Sequence, residues 1–325
     1  MRNIAAIAAF VGLTVIAAPT PPAQAQTYPA KPVRIIVPGP AGGGLDVVAR
    51  NVVQHLTTAG HGSFYIENLP GAGGAIGTGT AANAAADGYT ILVTNQDFVI
   101  HPLIKAKLPY DPFKSFAPVA LVASSPEVLA VNPSLPVRSM QELIALLRAN
   151  PGKYNYATPG YGTSPHLADE RLFRLSYGLD VVHVPFQGAP PAVAATIAGE
   201  TQIIHITLPL IAPHVRSGKL RALALAASKR APDFPELQTM AEAGIPGHEV
   251  AFWVGVMTPA GTPDTIVQWL QGQIRDVMSQ PQAKASLQTL GFELIAGTPE
   301  EMQRHLAVES ARWRKVVQAA NIRAN

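Results

Sequence analysis

Val37-Pro38-Gly39-Pro40-Ala41-Gly42-Gly43-Gly44-Leu45-Asp46 reads as the end of a β-branched strand, a glycine loop and the opening of a helix. Successive glycines let backbone N–H groups converge on an anion, and a helix N-terminus adds a partial positive charge to the same point. Asp46 is expected as the N-cap. No Gly-Lys-Ser/Thr follows, so this is not a nucleotide phosphate loop, and a tight turn that binds nothing is the competing reading of these residues alone.

Working outward, the same device recurs. Asn68-Leu69-Pro70-Gly71-Ala72-Gly73-Gly74-Ala75-Ile76-Gly77 follows a second strand. Its Gly77-x-Gly79-x-x-Ala82 resembles a dinucleotide fingerprint but lies at or inside a helix with no suitably placed acid after it. A third loop, Ala157 to His166, adds hydroxyl donors from Thr163 and Ser164. Val184-Pro185-Phe186-Gln187-Gly188-Ala189-Pro190 repeats strand, loop and helix start.

Between these loops short β-branched runs alternate with helical patterns. Strands are expected at Val33 to Val37, Phe64 to Glu67, Tyr89 to Thr94 and Val119 to Ala123, with helices at Asp46 to Thr58 and Gly77 to Ala86. The second half reads as strands at Val128 to Val131, Tyr154 to Ala157, Val181 to Pro185, Thr201 to Ile206 and Leu220 to Ala226. Helices alternate with them at Ser139 to Arg148, Pro165 to Ser176, Pro190 to Ala198 and Ile211 to Ser217. The tail reads as a strand at Ala251 to Met257, helices at Pro263 to Ser279 and Pro281 to Leu290, a strand at Phe292 to Ile295, and a closing helix over Pro299 to Ala320. A βαβα order implies mixed, mostly parallel sheets with flanking helices. Two such units, joined near Ser124-Pro126 and again near Gly247 to Phe252, enclose a cleft. Parallel sheets gather their loops at the carboxyl edge, so glycine loops from both units face that cleft.

Composition supports a packed α/β protein and removes several classes. The 325 residues are 48% hydrophobic and only 14% charged, with a net charge of +3 and no basic run, so the electrostatic signature of nucleic-acid binding is missing. Zero cysteines exclude disulfides, thiolate metal sites and a cysteine nucleophile. Residues 1–25 read as a cleavable leader: Arg2, an apolar stretch from Ile4 to Ala18, then Ala23-Gln24-Ala25 as a small-x-small site with cleavage after Ala25. The apolar stretch is shorter than the ~20 residues that span a bilayer. Export to the periplasm without membrane insertion follows as an expectation, and a monomer is expected. The nine histidines are dispersed and show no zinc spacing, and no Gly-x-Ser-x-Gly elbow occurs. No cofactor, metal or catalytic residue is expected. For His166, packing or capping stands beside ligand contact as an open alternative.

In order along the chain stand Tyr28-Pro-x-Lys-Pro32, Arg34-Ile-Ile-Val-Pro38, Gly42-Gly-Gly-x-Asp46-x-x-Ala-Arg50, Glu67-Asn-x-Pro-Gly-Ala-Gly-Gly74, Asp87-Gly-Tyr-Thr90 and Leu108-Pro-Tyr-Asp-Pro112. They are followed by Phe116-Ala-Pro118, Gly160-x-Gly-Thr163 with His166-Leu-Ala168, His183-Val-Pro185 with Gly188, Gly218-Lys-Leu-Arg-Ala-Leu-Ala224, Glu242-Ala-Gly244 and Pro259-Ala-Gly-Thr-Pro263. With these landmarks the chain resembles the Bug family, the extracytoplasmic receptors of tripartite tricarboxylate transporters. The resemblance implies a two-lobed, type II-like Venus-flytrap fold of the periplasmic binding protein kind. Lobe 1 is expected over 26–125 plus 252–325, and lobe 2 over 126–251. It implies capture of a small carboxylate (a di- or tricarboxylate, an acidic amino acid or an aromatic acid) and delivery to a membrane permease. Carried over residue by residue, the ligand-binding positions are Pro40, Ala41, Gly42, Gly43 and Asp46; Gly71, Ala72 and Gly73; Gly160, Gly162, Thr163, Ser164 and His166; and Phe186, Gln187 and Gly188. Phe186-Gln187-Gly188 stands where the family commonly has Tyr-Lys-Gly, Ile206-Thr207 where many relatives carry an acidic or amide residue, and Gly39 where an aromatic is common. These departures imply a less charged, larger or partly apolar ligand. A sensor that presents its closed form to a signalling receptor and a secreted α/β hydrolase using Ser164 are the alternatives. A transporter-deletion uptake test and a turnover assay separate them.

Overall fold

The computed structural model describes residues 28–323; the expected leader and its cleavage site lie outside them. The first strand, β1 (Val33–Val37), delivers the chain to α1 (Gly44–Thr58). In α1 the buried Leu45, Val48, Ala49, Val52 and Leu56 recur at helical spacing, and Asp46 sits in the first turn, so the apolar stripe and the dipole agree on direction. Then follow β2 (Phe64–Asn68), α2 (Ala75–Ala82), β3 (Thr90–Thr94), α3 (Asp97–Ile104), β4 (Phe116–Val131), α4 (Met140–Ala149), β5 (Asn155–Thr158) and α5 (Ser164–Asp169). A π-helical stretch, Glu170–Ser176, prolongs α5. The remainder is β6 (Val182–Pro185), α6 (Ala189–Ala198), β7 (Ile203–Thr207), α7 (Leu208–Arg216), β8 (Arg221–Leu225), β9 (Ala251–Pro259), α8 (Asp264–Met278), α9 (Pro281–Thr289), β10 (Glu293–Gly297) and α10 (Pro299–Ala320). Thr298 and Glu301 form a reciprocal capping box at the start of α10.

Strand order is β2-β1-β3-β9-β4-β7-β5-β6, with β8 and β10 also on β4. The β2-β1-β3 and β7-β5-β6 ladders are parallel, whereas β4 and β9 pair antiparallel with each other and with all their other neighbours. Each parallel triplet is the centre of one lobe, and the long antiparallel strands join them. The helices α1, α8 and α9 cover one face of the first lobe by packing Val48, Val52, Leu270 and Ile274 on Ile35, Ile91, Val93 and Val254. In the second lobe α6 and α7 cover Val128, Ile204 and Ile206 with Val193 and Ile211. A third core is continuous across both lobes and includes Phe98, Ile100, Leu129, Tyr156, Leu167, Trp253 and Trp313.

Two sequence expectations change. Val119 to Ala123 and Val128 to Val131 are halves of one strand, β4: opposite Ser125 and Pro126 stand Phe252 and Ala251 of β9, so pairing carries through the expected join despite the proline. The helix α3 has no counterpart among the expected elements. Its Pro102 and short length weaken the periodic signal, and burial of Phe98, Val99, Ile100 and Ile104 stabilises it.

Candidate functional site

The carboxyl ends of all six parallel strands open onto one cavity of about 110 Å³ between the lobes. From the first lobe come Pro38, Gly39, Pro40 and Gly43 after β1, Pro70, Gly71, Gly73 and Gly74 after β2, and Thr94, Asn95 and Asp97 after β3. The second lobe supplies Pro159, Thr163 and Ser164 after β5, Gln187 and Gly188 after β6, and Ile206 and Thr207 at β7. Glu127 of β4 and Phe252 of β9 complete the wall. Among the described residues no Lys or Arg lines it.

Helix amino ends take the place of cations. Gly44 and Leu45 of α1, Ala189 of α6 and Leu210 in the first turn of α7 touch the cavity, and Gly73 and Gly74 lead into α2. First-turn amides have no partner within their own helix, so they point a partial positive charge at whatever occupies the space.

Of the residues expected to bind, Pro40, Gly43, Gly71, Gly73, Thr163, Ser164, Gln187 and Gly188 meet at this wall. Others stand behind it. Ala41, Gly42 and Ala72 are exposed, and the Ala72 carbonyl accepts from Lys105 Nζ at 2.9 Å. Asp46 is the third residue of α1, and the N-cap is Gly43. Its carboxylate instead accepts from the Gly42 N–H at 2.9 Å, Arg50 Nε at 2.8 Å and Asn68 Nδ2 at 3.0 Å. Asp46 therefore ties the two glycine loops of the first lobe together. Burial opposes its charge, but these donors hold its pKa below the ordinary carboxylate range.

Gly160 and Gly162 shape the third loop. His166 accepts from the Gly162 N–H at 3.1 Å through Nδ1 and stacks on His183 at 4.1 Å. Burial, with His183 adding to it, lowers the His166 pKa to about 3, so a neutral ring caps the loop. Phe186 packs against the second-lobe core. The hydroxyl protons expected for ligand are used internally: Thr163 Oγ1 donates to the Gly160 carbonyl at 2.8 Å, and Ser164 Oγ donates to Glu127 Oε1 at 2.9 Å. Ser164 also accepts from Gln96 Nε2 at 2.6 Å. This hydroxyl has no imidazole base.

The sequence reading missed Asn95, Asp97, His101 and Glu127, and named Thr207 only as a departure from the family pattern. A signal existed: Asn95-Gln96-Asp97 is a polar trio directly after a buried strand, where ligands bind in such sheets. Asp97 Oδ1 accepts the Ser164 N–H at 2.9 Å and Oδ2 accepts Asn95 Nδ2 at 3.2 Å. Burial pushes the Asp97 carboxyl up to about 7, with Glu127 adding to the effect. Glu127 Oε2, His101 Nε2 and Thr207 Oγ1 are buried without a hydrogen-bond partner. His205 lies 2.8 Å from Asp169 and 3.6 Å from Glu127. Burial opposes its charge, yet the two carboxylates raise its pKa.

Glycines set the seam between the lobes. Gly188 has φ +111°, and a Cβ there would run into the Pro40 ring; at Gly73, with φ +70°, it would meet His101 Nε2 at 2.8 Å.

Residues 48–322 match the family model described as the tripartite tricarboxylate transporter family receptor. The protein BugT of Bordetella pertussis is 35% identical over 318 residues, covering 97% of this chain and 96% of its own. A Rhodopseudomonas palustris protein solved with adipate superposes with a TM-score of 0.88 at 34% identity, covering 91% of this chain and 99% of its own. MatC from the same organism, solved with bound malate, gives 0.85 at 30% identity over 89% of this chain and 100% of its own.

Proposed function

The chain belongs to the tripartite tricarboxylate transporter receptor family, a family of solute-binding receptors rather than enzymes, and from that premise we propose that it captures a small carboxylate in the periplasm and passes it to a tripartite-type membrane permease. The carrying observation is an interlobe cavity ringed by helix amino ends and backbone amides with, among the described residues, no Lys or Arg on its wall. Such a wall holds one carboxylate through fixed dipoles, at roughly 0.3–1 kcal/mol per helix end plus about 1.5–3 kcal/mol per hydrogen bond to the charge. No described helix is long and apolar enough to cross a membrane. Adipate and malate, held by two related proteins, give the scale of ligand.

We place the bend where β4 changes partners, at Ser125–Glu127 opposite Ala251 and Phe252, with lobes over 26–125 plus 252–325 and over 126–251. Native mass spectrometry of protein purified without refolding tests the reading directly: an acid should co-purify. Calorimetry with small acids and a smaller radius of gyration on binding should follow. A folded protein that binds no carboxylate refutes it.

A further inference from the structure

Ser164 carries two carboxyl groups on one residue. Its amide donates to Asp97 and its hydroxyl to Glu127, each at 2.9 Å, so two acids, one opening α3 and one on β4, converge beside the cavity they both line. Asp97 occupies the amide that opens α5 and stands itself at the start of α3. The positive ends of α3 and α5 are therefore already neutralised from within the chain. Those of α2, α6 and α7, which have no acidic residue in their first turn, remain open on the rest of the wall. The cavity thus has one region lined by helix amino ends and another, around Ser164, lined by two carboxyl groups; among the described residues no Lys or Arg is on the wall, and the cation nearest Glu127, His205, stands behind it at 3.6 Å.

The acidic region has unused acceptor capacity. A carboxylate offers about four lone-pair sites, and Asp97 uses one on each oxygen. Glu127, 1% exposed, has its Oε2 3.6 Å from His205 Nε2, beyond hydrogen-bond distance and with no other partner, and the 3%-exposed Thr207 leaves its hydroxyl without one. Buried acceptors of this kind call for donors.

Resting on the carboxylate reading above, we propose that the ligand is a monocarboxylate whose far end carries an N–H donor, an amide or an ammonium group, directed at Asp97 and Glu127. Its carboxylate lies on the amides of the open helix ends. A second ionised carboxylate at the far end would sit against two acids, a juxtaposition that costs affinity. The raised Asp97 pKa fits a carboxyl waiting for a donor rather than paired with a cation.

Calorimetry on the full mature chain, with length-matched sets of acids at about pH 8, tests this: succinate, succinamate, 4-aminobutyrate and butyrate, then adipate, its monoamide, 6-aminohexanoate and hexanoate. In the set that fits, an N–H-bearing member should bind roughly tenfold or more tighter than the dicarboxylate and the plain acid. Asp97→Asn should shrink that preference by a similar factor. Equal or tighter binding of a dicarboxylate, including binding that takes up a proton at about pH 6, overturns the proposal and leaves the carboxylate reading intact. Failure of every acid to bind protein with a native circular dichroism spectrum sinks both. The parent ranking decides the matter even if Asp97→Asn fails to fold.

Discussion

Ser164 of one lobe donates its backbone N–H to the Asp97 carboxylate of the other at 2.9 Å, so the lobes are joined by a hydrogen bond at the edge of the cavity they enclose. The hydroxyl of the same serine lies between Gln96 and Glu127. One 1%-exposed side chain thus links strand ends from both lobes to the strand that passes between them.

Removing that hydroxyl leaves Glu127 Oε1 with Gln96 alone. Ser164→Ala is expected to lower unfolding stability by about 1–3 kcal/mol, read as a fall in the urea midpoint at constant slope. An unchanged midpoint would show that the Gln96–Ser164–Glu127 network contributes nothing net.

The raised Asp97 pKa has a defined sign. The folded protein holds this proton more tightly than the unfolded chain, so the contribution is fully present below the ordinary carboxylate range and is lost as pH rises through about 7. His205, raised by its carboxylate neighbours, acts in the same sense, while His101 and His166, lowered to about 3, act oppositely. Comparing parent with Asp97→Asn cancels those shared terms. The melting-temperature advantage of the variant should grow between about pH 5 and about pH 8; a constant difference would place the titration elsewhere.

Gly188 approaches Pro40 so closely that a Cβ there would strike the proline ring. Gly188→Ala should hold the lobes apart. If the closed population falls tenfold, affinity falls about tenfold with it, and scattering should show the larger radius even with ligand. Adding Pro40→Ala should restore part of both. Loss without such rescue would point to the φ of +111° as the cause, rather than the contact.

Asp46 is 2% exposed and joins Gly42, Arg50 and Asn68. Arg50 is largely exposed, so that ion pair counts for little, and the bonds to Gly42 and Asn68 dominate. Asp46→Ala should cost about 1.5–3 kcal/mol and should speed amide exchange at Gly42. Exchange at the parental rate would mean that the loop holds its shape without the carboxylate.

Cleavage of the expected leader would leave a mark at the amino terminus. From Ala23-Gln24-Ala25, sequencing of protein recovered from the periplasm should begin at Gln26 or within a residue or two. Material still carrying Arg2 contradicts the leader.

Local chemistry made much of the fold readable. Glycines after β-branched runs marked β1, β2, β5 and β6 and the helices they feed, since backbone geometry and helix starts depend on neighbours within a few residues. Pro40, Gly43, Gly71, Gly73, Gln187 and Gly188 were carried over from the family resemblance, and the fold brings them to the cavity wall. The sequence was misleading where a local cue has two outcomes. An acid after three glycines suits an N-cap, yet Asp46 folds back onto Gly42 because Asn68, 22 positions later, supplies a second donor.

Local pattern in the chain was enough to establish a two-unit α/β protein whose glycine loops follow strands and open helices, because dihedral freedom, strand spacing and helix polarity are local properties. Only the tertiary structure decided what faces those loops. Asp97 meets Ser164 across 67 positions, Glu127 meets it across 37, and Gly188 meets Pro40 across the seam. A carboxyl's charge, a hydroxyl's proton and a glycine's necessity depend on desolvation and contact between segments far apart in the chain, and no local pattern records which segments burial will bring together.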